Sequence, residues 1–264
     1  MVVKSLSVAT EWQINFYRCA ALTLFVGLVI LLRYRRSGLS VIRKSGKKGV
    51  FAGCLLSGAM LCNVVALKYT TVAVAVFVMA AAPVFAALLA NIILQERTHK
   101  RGWISIGLAF VGIAIMVGGR LQVGDIFGVS VAILGIMFFG AYAVSLRIGK
   151  NLDMTPAVLC GGFVGTLISC GMSFATGVGL LIPLAEALWC SALGVVQLGL
   201  GSVLFALAAQ SVPAVQLTLF SLGEPVLAPI WVLIAFNEAP TGATLVGGGV
   251  LLIALVLQLF DRSP

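Results

Sequence analysis

Charged side chains are scarce in this chain: 9% of its 264 residues are Asp, Glu, Lys or Arg, and 8 of those are acidic. With 61% hydrophobic residues and a mean hydropathy of +1.16, too little polar surface exists to coat an aqueous domain, which excludes a soluble globular protein. Histidine occurs once, as His99 in a basic loop, so a metal site built on imidazole is not supported; neither metal nor cofactor is expected. The cysteines, Cys19, Cys54, Cys62, Cys160, Cys170 and Cys190, form no CxxC pair and fall in apolar stretches, where they read as buried thiols. Clustered acids are missing, no acid and base pair can be drawn, and the chain is read as not an enzyme. No GxxxxGK[ST] loop is present, which argues against nucleotide-driven pumping. Met1 to Trp12 also lacks the basic start and small-residue cleavage site of a signal peptide.

Long apolar runs are what the sequence has in abundance. Nine spans can be read: Ile14 to Leu32, Val50 to Leu67, Val72 to Leu94, Gly102 to Gly118, Phe127 to Leu146, Pro156 to Ala175, Leu188 to Ala209, Ala214 to Phe236 and Gly242 to Phe260. Each is near the roughly 20 residues that cross a bilayer core, where only a helix satisfies its own backbone. The fold class is therefore an all-α polytopic membrane protein. Seven basic residues from Arg33 to Lys48 crowd the first loop, with Arg97, Lys100 and Arg101 in the third and Arg147 and Lys150 in the fifth. That bias puts these loops and the C-terminus in the cytoplasm and the N-terminus outside. Topology thus accounts for most of the net charge of +9, and no nucleic-acid partner is expected. The expected partners are the bilayer, whose anionic headgroups neutralise the Arg33 to Lys48 cluster, and a small-molecule substrate; the oligomeric state stays open.

The middle of the chain occurs twice. Ala82-Pro83-Val84 followed by Glu96 returns as Glu224-Pro225-Val226 followed by Glu238, with 13 positions from proline to glutamate in both copies and an offset of 142. Tyr69 to Pro83 lies over Ser211 to Pro225 without a gap, each a turn leading into an apolar helix broken by proline. Two repeats of transmembrane helices follow, at 1–120 and 121–264. Small residues support close helix contact, as in Gly161 with Gly165 and the ladder Ala82, Ala86, Ala90.

Leu67-Lys68-Tyr69-Thr70-Thr71 leading into Pro83-Val84, then Gln95-Glu96-Arg97, Gly102 and Gly107, and in the second half Glu224-Pro225-Val226, Asn237-Glu238, Gly242 and Gly247, resemble an EamA-like permease of the drug/metabolite transporter superfamily. The resemblance implies ten helices in two inverted five-helix repeats around a central cavity for amino acids, other metabolites or drugs, with export as the direction. Four spans precede Phe127 and five follow, so the helix without a counterpart is the family's first; a start placed too late is favoured over a nine-span variant.

Polar groups at depth are the site candidates, because each costs free energy there. Glu224 comes first, as the ligand of a substrate ammonium or a coupled proton, with helix–helix bonding to Gln197 or Asn63 as the alternative. Pro225 removes the amide that would meet the Ser221 carbonyl, so Ser221 joins Glu224 in one polar locus; Pro229 is a further helix breaker, and Pro83 does the same to Met79, where Ala82 replaces the glutamate. Arg18 reads either as an anchor for a substrate carboxylate or as a side chain snorkelling to the outer headgroups. Tyr142, Trp189 and Trp231 offer ring stacking, against packing and interfacial anchoring. Glu96 and Glu238 are assigned structural roles at helix ends. The expected function is a secondary transporter working by alternating access in a bacterial-type plasma membrane, with proton coupling open; a channel, a lipid-handling protein and an intramembrane enzyme are the alternatives.

Overall fold

The computed structural model describes residues 9–35, 38–70, 72–96, 98–117, 126–224, 227 and 241–259. Among these residues the chain is helical and contains no strand. The helices are α1 (Glu11–Tyr34), α2 (Gly38–Tyr69), α3 (Val72–Met79), α4 (Ala82–Leu89), α5 (Lys100–Val117), α6 (Ile126–Ile148), α7 (Thr155–Ala175), α8 (Leu184–Leu193), α9 (Gly201–Ala208), α10 (Ala214–Ser221) and α11 (Gly242–Leu259). A π segment, Ala90–Leu94, continues α4, and another, Gly194–Leu200, joins α8 to α9. Among the described residues, six helical segments are long and apolar enough to cross a membrane: Glu11–Tyr34, Gly38–Tyr69, Phe77–Leu94, Ile126–Ile148, Thr155–Ala175 and Leu184–Ala208. The protein is thus a multi-pass membrane protein.

Local chemistry sets the helix boundaries. Thr10 and Gln13 form a reciprocal capping box at the start of α1, which begins three residues before the apolar run. The glycine at position 46 (φ 47°, ψ −142°) kinks α2, separating a basic first stretch from the apolar span. The span read as Val72 to Leu94 is two helices with a break at Ala80 and Ala81, because Pro83 has no amide to continue the ladder. Ala80 and Ala81 instead donate to the carbonyls of Phe77 and Val78. The thiols are less uniformly buried than the sequence suggested: Cys19 and Cys190 are buried, Cys54 is exposed and the others lie between. Cys54 sits beside Gly53 on α2, and the buried face of that helix is the one carrying Gly53.

The chain divides into two compact units, each drawing on both halves of the sequence: Met1–Lys68 with Ser145–Val212, and Tyr69–Val144 with Pro213–Pro264. In the first unit, α1 lies antiparallel to α7. Gln13 Nε2 and the Tyr17 hydroxyl donate to the carbonyls of Gly179, Leu181 and Leu180 beyond the end of α7. At the other end, the Tyr34 hydroxyl donates to Asp153 just before α7 begins. Glycines let the backbones meet, with Gly162 against Leu22 and Thr23, Gly165 against Cys19, and Gly161 against Gly53 and Leu56 of α2.

In the second unit, α5 and α11 run antiparallel through Gly112 and Gly247, each of which faces the other's backbone. The Ala82, Ala86, Ala90 ladder is buried, and Gly140 of α6 packs against Phe85 and Ala86 beside it. One apolar cluster joins Ala80, Ala87, Ile106, Ile113, Leu219, Leu222 and Leu251.

Candidate functional site

Two groups of polar side chains stand out, one in each unit. In the first, Arg18 of α1 is 6% exposed, and its Nη2 donates to Gln197 Oε1 at 3.4 Å. The snorkelling account of Arg18 is therefore wrong: the side chain turns into the helix packing instead of reaching for headgroups. Gln197 lies in the middle of the π segment, whose Gly194 has the Arg18 backbone where a Cβ would stand. A π turn inside an α-helix displaces side chains from the regular register and recurs at functional positions. Asn63 is exposed on α2.

Buried groups that the sequence reading passed over lie nearby. Asn15 Nδ2, Ser57 Oγ, Ser169 Oγ and Ser173 Oγ are buried and make no hydrogen bond among the described residues. Asn15 sits one turn before Arg18, and Ser57 and Cys19 both approach Gly165. Their signal in the sequence is weak, since single Ser and Asn residues are common in membrane helices; the burial and missing partners set them apart. An open groove of about 500 Å³ runs along α1 and α8, lined by Phe16, Leu24, Phe25 and Leu28 among others. It is almost wholly apolar and offers little to recognise a polar solute.

In the second unit, α3 and α10 coincide end for end when shifted by 142, and so do α5 and α11. Each of α3 and α10 stops at a turn, at Ala80 and at Leu222, and both turn residues are buried in the same apolar cluster. Glu224 follows the second turn and is exposed. The Ser221 hydroxyl donates to the Leu217 carbonyl at 3.1 Å. Tyr142 is 1% exposed, so interfacial anchoring does not apply to it, whereas Trp189, at 61%, is placed for that role. Glu96 is half-buried, and its amide donates to the Ala90 carbonyl, closing the π segment. Pro225, Pro229, Trp231 and Glu238 lie outside the described residues.

Among the described residues no group of His, Cys, Asp or Glu has the arrangement of a metal site. An ionic cluster lies at the loop end of α7, where Asp153 accepts from Tyr34 and from the Thr155 amide and pairs with Arg33 at 3.9 Å. Burial disfavours the Asp153 carboxylate, but the hydrogen bonds from Thr155 and Tyr34 and the Arg33 charge outweigh it and hold the group below the usual carboxylate range.

The sequence matches the EamA-like transporter family over residues 1–118 and 126–260. No curated protein matches it significantly. A crystal structure of a protein at 19% identity shares the fold with a TM-score of 0.80, over 97% of this chain and 89% of that one.

Proposed function

The chain belongs to the EamA-like transporter family, and from that premise we propose that it is a secondary transporter exporting small metabolites, amino acids among them, across a bacterial-type plasma membrane. The observation that carries this reading is the recurrence of one broken helix, α3 and α10, at matching positions of both halves. Discontinuous helices in corresponding places expose backbone groups to a solute, which is how paired repeats build a transport site. The antiparallel packing of the corresponding helices α1 with α7 and α5 with α11 supports an inverted relation between the repeats, the symmetry on which alternating access depends.

Glu224, next to the second break, takes the role of ligand for a substrate ammonium or a coupled proton, while Ala82 in the first copy leaves the pair asymmetric. The C-terminus then lies in the cytoplasm, in keeping with the basic loops.

The test is efflux from proteoliposomes loaded with a mixed panel of amino acids and metabolites, with and without a pH gradient. Saturable efflux of a subset, stimulated by solute on the far side, is expected. Flux that rises linearly with concentration and shows no exchange identifies a channel instead.

A further inference from the structure

Polar groups are stranded along one half of the seam between α1 and α7. Asn15 is 1% exposed and Ser169 and Ser173 are fully buried, and neither Asn15 Nδ2 nor the two hydroxyls make a hydrogen bond among the described residues. Antiparallel packing sets their levels. Cys19 meets Gly165, so Asn15, one turn before Cys19, and Ser169, one turn beyond Gly165, stand together toward the loop between α7 and α8. Ser57 of α2, whose buried hydroxyl also makes no bond among the described residues, reaches the Gly165 level. A buried donor left without a partner costs its full desolvation, whereas a bond that is made adds little net stability. This half of the seam is therefore weakly held by its own interior.

The duplication supplies a control. Shifted by 142, the seam maps onto itself end for end: Asn15 and Ser169 fall on Ala157 and Gly27, and Ser173 on Leu31, while Ser57 falls on Gly199 of the π segment. At that other end Gly27 packs on Leu159 of α7. Close packing of these helices thus requires none of the four polar side chains.

A strap closes over the polar end. The Val178 and Gly179 amides donate to the Ser173 carbonyl, which folds the chain back at the end of α7. Gln13 Nε2 then donates to the carbonyls of Gly179 and Leu181 at 3.2 and 3.3 Å, and the Tyr17 hydroxyl donates to that of Leu180 at 3.1 Å.

We infer that α1 and α7 part at this end in the transport cycle, and that Asn15, Ser57, Ser169 and Ser173 then line a hydrated stretch of the solute path. Lifting the strap exchanges its bonds for bonds to water, while the stranded groups gain the partners they lack in the closed seam. The strap favours the closed state and the stranded groups favour the open one. This inference rests on the transporter reading and adds to it the place where a barrier opens.

The experiment reads water access in the full chain reconstituted into liposomes. Ser169→Cys and Ser173→Cys, which are nearly isosteric, are treated from both sides of the bilayer with a charged, membrane-impermeant thiol reagent, with and without the amino-acid and metabolite panel. Wild-type protein is the blank for the native cysteines. Both variants are expected to react faster than the blank. Tyr17→Phe, which removes one bond of the strap, is expected to speed their reaction roughly tenfold, the size of one lost hydrogen bond. Ser169→Ala, combined with Ser173→Cys, is expected to slow it, because the closed seam loses a stranded hydroxyl. No reaction above the blank, or rates indifferent to Tyr17→Phe and Ser169→Ala, overturns the gate. A lock gives an independent measurement. A Cβ at Gly165 would stand 3.5 Å from the Cys19 Cβ, within the range of a disulfide, so oxidised Gly165→Cys joins the two helices. Efflux of the panel is expected to stop on oxidation and return on reduction. Efflux that persists in the oxidised protein overturns the gate and leaves the transporter, whereas labelling without any flux from the wild type removes the transporter and leaves the opening.

Discussion

Two carboxylates illustrate how differently a charge can be held in this protein. Asp153 sits at the head of α7, where the Thr155 amide, Tyr34 and Arg33 all favour its ionised form. A carboxyl whose folded-state pKa is depressed contributes stability above its unfolded pKa, and that contribution is lost as pH falls through the folded value. Melting temperature should therefore drop as pH is lowered through and below the usual carboxylate range. Asp153→Asn should cost about 1–2 kcal/mol near neutrality and flatten that dependence; an unchanged acid profile in this variant would count against the assignment. Glu224 is exposed beside a helix break. Glu224→Gln should leave the fold intact while reducing efflux roughly tenfold or more, or shifting its pH dependence, if the carboxylate meets solute or proton. Unchanged rate, substrate range and pH profile in folded protein would dismiss the idea. Arg18 was legible in the sequence because a cation so far into an apolar run has few explanations. Its inward orientation was not, since the snorkelling and buried rotamers have the same sequence. Asn15 was illegible for a related reason: a small uncharged amide near a span end is unremarkable until it is known that it is buried and that its Nδ2 makes no hydrogen bond among the described residues.

At the scale of elements, most of the architecture could be read from hydrophobic runs, and where the nine spans are described they fall mainly on helix, apart from turns such as those at Ala80, Ala81 and Leu222. The break at Pro83 was legible through the chemistry of proline. The π segments were not, because Gly194–Leu200 has the composition of an ordinary apolar helix. The kink in α2 also escaped notice, though Gly46 supports it: the side of its Cα where a Cβ would stand is open, so the cost of a substitution there is purely conformational. Gly46→Ala should destabilise by about 1–3 kcal/mol, the range for a non-glycine residue in a forbidden backbone region. Gly107→Ala, in a helix interior with equally open space, should be neutral or slightly stabilising. Thermal unfolding of the two variants side by side checks this, and equal losses would refute the backbone argument.

The whole molecule is organised by two divisions that do not coincide. Repetition divides the sequence near residue 120, whereas packing pairs Met1–Lys68 with Ser145–Val212 and Tyr69–Val144 with Pro213–Pro264. Neither half of the sequence therefore carries a complete unit. Fragments 1–122 and 123–264, expressed alone, should be degraded or aggregate, and co-expression should recover several-fold more of each in the membrane. Full recovery of either fragment by itself would show that the repeats fold independently. The same interleaving sets an order for biosynthesis. Arg18 leaves the ribosome 179 residues before Gln197, the side chain that meets it in the finished protein. During that interval α1 must enter the membrane with its cation lacking that partner, so the insertion machinery, or an early neighbour such as α2, has to shelter the segment until the later helices arrive. Synthesis rate and chaperone supply should then limit the yield of this protein more than its final stability does.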